Sequence, residues 1–192
     1  RYAGGSAWYV GGDSAGISST TPALTLSNST VAESAAAGLY VSGTSSSPSV
    51  NGVRFVLNHT GIVFVGGAGG RVAQSSFVSH NTAVSIDATS HPILGILDDP
   101  DPLKGGFNSF VCSSLNVCGS NTTQVSAQNN WWGSAPPDTA LFCPPANLDY
   151  SNYLTFEATP PGGSHAPVLI HVEVARIPST ADLLITWEDI AP

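Results

Sequence analysis

Three segments of this chain repeat one another at a spacing of about 22 residues, and a period of that length limits the fold more than any other feature of the sequence. They are LSNSTVAESAAAGLYV (26–41), VNGVRFVLNHTGIVFV (50–65) and VAQSSFVSHNTAVSI (72–86), aligned with one single-residue gap. Leu26, Val50 and Val72 open the units. Val31, Phe55 and Phe77 follow five positions later, then Leu39, Ile62 and Val84, then Val41, Phe64 and Ile86. The offsets between successive units are 22 to 24 residues at all four positions. Gly16-Ile17 lies 22 residues before Gly38-Leu39 and marks an earlier partial unit.

Inside each unit the apolar residues alternate with a spacing of two, the periodicity of a strand. Polar or glycine-bearing corners such as NSTVAES and SGTSSSPS separate the alternations. No stretch sustains a helical period; the best candidate, VAESAAAG, runs at once into the strand-like GLYV. A unit of two or three short strands cannot bury its apolar face alone. Stacked as coils it can, because each residue then lies about 4.8 Å above its counterpart. The four apolar positions become interior columns.

These repeats resemble those of the right-handed parallel β-helix of the pectin-lyase-like superfamily, in its secreted bacterial type. VSAQNNWWGSAPP (125–137) resembles a phrase frequent near the C-terminal end of such domains, and FCPPANLDYSNYL (142–154) resembles the segment that often follows it. The resemblance covers residues 2–154. It implies an all-β, right-handed parallel β-helix over residues 1–158. A solenoid leaves its last coil exposed, so Trp131 and Trp132 are expected to cover that end, one entering the core and the other an outer groove. Between the third unit and this phrase the period breaks. Residues 87–124 are expected to hold one distorted coil around GGFNSFV and two loop excursions, one of them GILDDPDPLKGG.

Composition narrows the setting. Charged residues make up 9% of the chain, far below the roughly 25% common in soluble domains, and Ser, Thr, Gly and Asn take their place. Five Lys and Arg stand against thirteen Asp and Glu, for a formal net charge of -8. The basic residues are scattered, which argues against nucleic acid or an anionic membrane as partner. No apolar run is long enough to span a membrane. The start at Arg1, without an initiator Met or a signal-peptide pattern, suggests a processed piece of a longer protein. Three cysteines, Cys112, Cys118 and Cys143, permit one disulfide in an oxidising compartment, with Cys112–Cys118 the simplest pairing. Asn28, Asn58 and Asn121 sit in Asn-x-Ser/Thr sequons and are candidate glycosylation sites. Together these features point to an extracellular or cell-surface protein.

After residue 158 the character changes. TPPGGSHAP (159–167) reads as a linker. VLIHVEVARI and ADLLITWEDI, within residues 168–192, read as a strand pair resembling the start of an immunoglobulin-like or fibronectin-like module. Two strands alone are marginal, so the pair is expected to join the β-helix flank, another subunit or a further domain.

Relatives of the β-helix superfamily include polysaccharide lyases and glycoside hydrolases, which use paired carboxylates, or a base with Ca²⁺. The matching residue types here are Asp98, Asp99, Asp101 and Lys104, and the three aspartates are also the candidate Ca²⁺ ligands. They alternate with prolines as exposed turns do, and the polygalacturonase and pectate-lyase signatures are absent. His80, on the corner SHNTA of the third unit, and Asp87, just after Ile86, have no catalytic motif, and corner residues of stacked coils commonly bond along the stack. The sequence therefore favours a non-catalytic extracellular module of a surface, adhesive or filament-forming protein, without a cofactor. Its expected partners are neighbouring subunits or domains, met through the solenoid ends and residues 168–192. An enzyme, or the carbohydrate-binding remnant of one, acting on an extracellular polysaccharide is the alternative.

Overall fold

The computed structural model describes residues 7–9, 17–19, 24–97, 106–143, 147–158, 170–176 and 183–189, with the backbone alone in 7–9, 170–176 and 183–189. The fold is a parallel β-solenoid of about five turns with about 23 residues per turn, and 2% of it is helical. Three sheets form its sides. The first stacks β1 (Ala7–Tyr9), β4 (Thr30–Ala32), β7 (Arg54–Val56), β10 (Ser76–Val78) and β12 (Ser109–Val111). The second stacks β2 (Ile17–Ser19), β5 (Ala37–Ser42), β8 (Thr60–Val65), β11 (Thr82–Ile86), β13 (Leu115–Gly119) and β15 (Phe142–Cys143). The third contains β3 (Thr25–Ser27), β6 (Ser49–Asn51) and β9 (Arg71–Ala73), and on this side β14 (Val125–Ser126) later pairs with β16 (Leu148–Asp149).

The register matches the repeat in the sequence. Val31 pairs with Phe55 and Phe55 with Phe77; Leu39 pairs with Ile62 and Ile62 with Val84. Ile17 pairs with Leu39, so the partial unit is a real rung. All of these positions except Ile17 are fully buried in one continuous core. The first column is aromatic from the second coil onward. Phe55 stacks on Phe77 at 5.0 Å, Phe77 on Phe110 at 4.8 Å, and Phe110 on Trp132 at 4.4 Å. The spacing between coils is close to the ring-stacking distance, so an in-register column of aromatics is an efficient way to fill the interior.

The fourth coil explains the broken period. Phe77 pairs with Phe110 and Val84 with Val117, each 33 positions on, one 22-residue coil lengthened by eleven. The added residues leave and return at Gly95 and Gly106. A Cβ on either glycine would lie 3.1 Å from the other's Cα and would press on the Gln128 carbonyl, so two glycines close the base of the excursion. The expected excursion at GILDDPDPLKGG leaves the coil here, with residues 98–105 outside the described residues, whereas SSLNVCGS contains β13, a regular rung of the second sheet. Asn116 occupies an inward position there, and its polar side chain hid the strand alternation.

The corners have a regular geometry that the repeat alone did not reveal. Between the third and first sheets one residue per coil takes a left-handed conformation: Asn28, Gly52, Gln74, Phe107, Asn129 and Asn152, with φ from 45° to 64°. Between the first and second sheets Glu33, Leu57, Ser79 and Cys112 do the same, with φ from 53° to 61°. Each of these single-residue bends keeps the hydrogen-bond ladder running: Asn28 N–H donates to Asn51 O, Gly52 N–H to Ala73 O and Leu57 N–H to Val78 O. The left-handed geometry turns the side chain outward, which is why Leu57 and Phe107 are exposed despite being apolar.

β17 (Ile170–Arg176) and β18 (Leu183–Asp189) form an antiparallel pair, as the sequence pattern predicts. Apolar positions oppose one another in it: Val172 with Trp187, Val174 with Ile185. The linker 159–167 lies outside the described residues.

Candidate functional site

Polar side chains gather in the corners and form two ladders along the solenoid axis, and Asn58 and His80, which the sequence singles out, belong to the first. In the first ladder each backbone N–H donates to a side chain one coil on: Ser34 N–H to Asn58 Oδ1 at 2.9 Å, Asn58 N–H to His80 Nδ1 at 3.1 Å, and His80 N–H to Ser113 Oγ at 3.3 Å. In the second, Val53 N–H donates to Ser75 Oγ at 3.1 Å, Ser75 N–H to Asn108 Oδ1 at 3.0 Å, and Asn108 N–H to Asn130 Oδ1 at 2.9 Å. Asn58, Ser75, His80, Asn108 and Asn130 are buried, and a buried backbone N–H without an acceptor would cost about 1–3 kcal/mol. The ladders remove that cost where the strands bend apart.

His80 is the titratable member. Its Nδ1 accepts from Asn58 N–H, so its proton resides on Nε2, 3.2 Å from the Phe55 carbonyl that accepts it. Burial pushes the imidazole below its ordinary range, against the upward pull of the Asn58 and Phe55 backbone contacts. Asp87 lies at a different corner. Its carboxylate accepts from Gly66 N–H at 2.6 Å, Ser90 N–H at 2.8 Å and Thr89 N–H at 3.0 Å. Desolvation pushes its pKa upward, but the hydrogen bonds from Gly66, Ser90 and Thr89 outweigh it and hold the group at about 2. His80 and Asp87 thus have separate partners and no bond to each other. The exposed His59 pairs with Asn81 in the next coil, Nδ1 to Nδ2 at 3.0 Å.

Asp98, Asp99, Asp101 and Lys104 lie outside the described residues. Among the described residues no three His, Cys, Asp or Glu side chains come together to share a metal ion.

The disulfide differs from the expected pairing. Cys118 is bonded to Cys143, and Cys112 is a free, exposed thiol. The reason is register: Cys118 and Cys143 are partners on β13 and β15, their Cα atoms 4.5 Å apart, whereas Cys112 sits at the bend before β13. The sulfur bridge clasps the last coil to the one before it.

The tryptophans also take places set by register. Trp132 is fully buried, 22 positions after Phe110, and is an interior rung of the fifth coil rather than the terminal cover. The column ends just beyond it: Phe142 meets Trp132 edge-on at 89°, and Tyr150 packs at 5.2 Å from Phe142. Leu148 and Tyr153 complete the covering of the core at that end. Trp131 is half-buried and bridges to Ser109 through the backbone.

Comparison with family models, with curated proteins and with solved structures finds no match to this chain.

The sequons separate by burial. Asn28 is exposed. Asn58 is buried, with Nδ2 donating to Val31 O at 2.9 Å. Asn121 is buried, with Nδ2 donating to Asn147 O at 2.8 Å and Thr123 O at 2.9 Å. A glycan on either buried nitrogen would break these bonds and would have no space, so Asn58 and Asn121 are corner residues, and Asn28 alone retains an accessible sequon.

Proposed function

We propose that this chain is a non-catalytic structural and interaction module of an extracellular or cell-surface assembly, built on a β-solenoid of the secreted, pectin-lyase-like type. The observation that carries the reading is the use made of polar side chains. Asn58, His80, Asn108 and Asn130 direct their hydrogen-bonding groups at the backbone of adjacent coils. Asp87 does the same at its own corner. Groups committed in this way stiffen a rod; they are not free to meet a substrate. The Cys118–Cys143 bridge and the low charge density fit an oxidising, extracellular setting.

The strand pair supports the interaction half of the proposal. Seven-residue strands with Val172 opposite Trp187 and Val174 opposite Ile185 are too apolar and too few to stand alone in water. Among the described residues neither strand pairs on its outer edge, where main-chain groups can extend a sheet of a neighbouring subunit or domain. Deleting residues 168–192 and measuring mass in solution by light scattering tests this. The truncated chain is expected to remain folded and to lose association; unchanged association would remove the assembly role from these strands. Incubation with uronate polymers and neutral glycans tests the other half. Depolymerisation that disappears in Asp99→Asn would replace the structural reading by a lyase or hydrolase.

A further inference from the structure

We infer that His80 is an acid-sensitive latch between the second and third coils, closed while its imidazole is neutral and opened by a proton on Nδ1. The inference rests on bonding geometry. The corner ladder Ser34, Asn58, His80, Ser113 spans four coils, and His80 is the only member whose acceptor atom can be protonated in the physiological range. In the neutral ring Nδ1 accepts from Asn58 N–H while Nε2–H donates to Phe55 O. A proton on Nδ1 removes that acceptor. The new N–H can turn to the Asn58 carbonyl, 3.0 Å away, but Asn58 N–H is then left facing a second donor in a buried corner. The positive charge is buried with it, edge-on to the Phe77 ring at 6.2 Å.

Among the described residues no carboxylate bonds to the ring to compensate that charge. The elements packed against the ring are β7, the bend through Asn58 and His59, β10 and the bend through Cys112 and Ser113. Their titratable or charged groups are Arg54, His59 and Cys112, none of them a carboxylate, and the ring's own partners are all backbone atoms of Asn58 and Phe55. Glu33 is exposed at the equivalent bend of the first coil, with no bond to the imidazole. Acidification therefore strikes one rung of an otherwise non-titrating ladder, and the break falls between the coil of Phe55 and the coil of Phe77. The neighbouring coil shows how the latch can be made insensitive to pH, because Asn58 fills the same place with an amide.

Amide hydrogen exchange measured by NMR on the whole chain tests the proposal. Corrected for intrinsic rates, protection of the Asn58 amide is expected to fall by up to about tenfold per pH unit below the ordinary histidine range, the limit for one linked proton. His80→Asn is expected to abolish that dependence while keeping the fold at neutral pH. The same slope in His80→Asn as in the native chain would overturn the latch. A readout on the native chain covers the case in which the variant does not fold. The His80 ring nitrogens are expected to show the Nε2–H tautomer at neutral pH, and Asn58 protection is expected to fall in step with the ring's own titration. An Nδ1–H tautomer, or Asn58 protection that ignores the titration, refutes the proposal.

Discussion

Replacing Phe77 by Ala tests the stacking of the core most directly. Phe77 is fully buried and lies between two parallel rings, Phe55 at 5.0 Å and Phe110 at 4.8 Å. Truncating a buried Phe to Ala costs about 3–5 kcal/mol through lost transfer energy and the cavity left behind. Each aromatic pair adds roughly 0.5–1.5 kcal/mol beyond its buried area, and this substitution removes two. Neighbouring strands on both sides are tied into the ladder and cannot collapse into the gap, so the cost should fall at the upper end, about 5 kcal/mol. Phe55 has one ring neighbour in its column, because Val31 occupies the coil before it. Phe55→Ala should therefore cost less, by roughly one aromatic pair, about 1 kcal/mol. For a chain of this size about 5 kcal/mol corresponds to a fall in Tm of roughly 10–20 °C. Urea unfolding followed by circular dichroism and by tryptophan fluorescence, to which Trp132 at the end of the same column contributes, supplies both numbers. A Phe77→Ala variant no less stable than Phe55→Ala would refute the accounting by ring neighbours, and an effect under about 1 kcal/mol in both would refute the column itself.

Other expectations follow from the bends, the clasp and the Asp87 carboxylate. Leu57 is exposed at φ 53°, where Leu is strained by about 1 kcal/mol and Asn is not, so Leu57→Asn should raise the urea midpoint; a lower midpoint would count against the single-residue bend. Without reductant, alkylation and mass spectrometry should label Cys112 alone, and Cys143→Ser should destabilise by up to about 3.5 kcal/mol, the loop-entropy limit for a bridge across 25 residues. Asp87 is held at about 2, below its ordinary value of 3.8, so its contribution is complete above the unfolded value and declines as pH falls from 3.8 toward 2. Acid titration of stability in Asp87→Asn should lack that portion of the decline, and an unchanged acid profile would show that its hydrogen bonds do not contribute.

Much of this architecture can be read in the residues, and the reason is that interior columns are written locally. Apolar residues two apart make a strand, and their recurrence every 22 positions makes a coil, so Val31, Phe55 and Phe77, or Leu39, Ile62 and Val84, identify themselves before any coordinate is known. The strand pair at 170–176 and 183–189 is legible for the same reason. Corner residues are less legible because they carry no hydrophobic signal. Asn58 reads as a sequon and His80 as a stray histidine until the coils are stacked and each is seen to receive an N–H from the coil before. The left-handed column was partly visible in Asn28, Gly52 and Asn129, whose residue types favour such bends, but Leu57 and Phe107 disguise it.

What only tertiary structure decided is everything that depends on counting residues around a closed coil. The excursion based at Gly95 and Gly106 adds eleven residues and shifts the partners of the fourth coil from 22 to 33 positions, and no local rule announces that it closes on itself. The next coil returns to a 22-residue path, which places Trp132 on Phe110 inside the column, with Phe142 and Tyr150 beyond it. It also sets Cys118 beside Cys143, 25 residues away, in preference to Cys112, six residues away. Sequence determines which residues seek the interior of a coil; the path length of each coil determines which residue each one meets there.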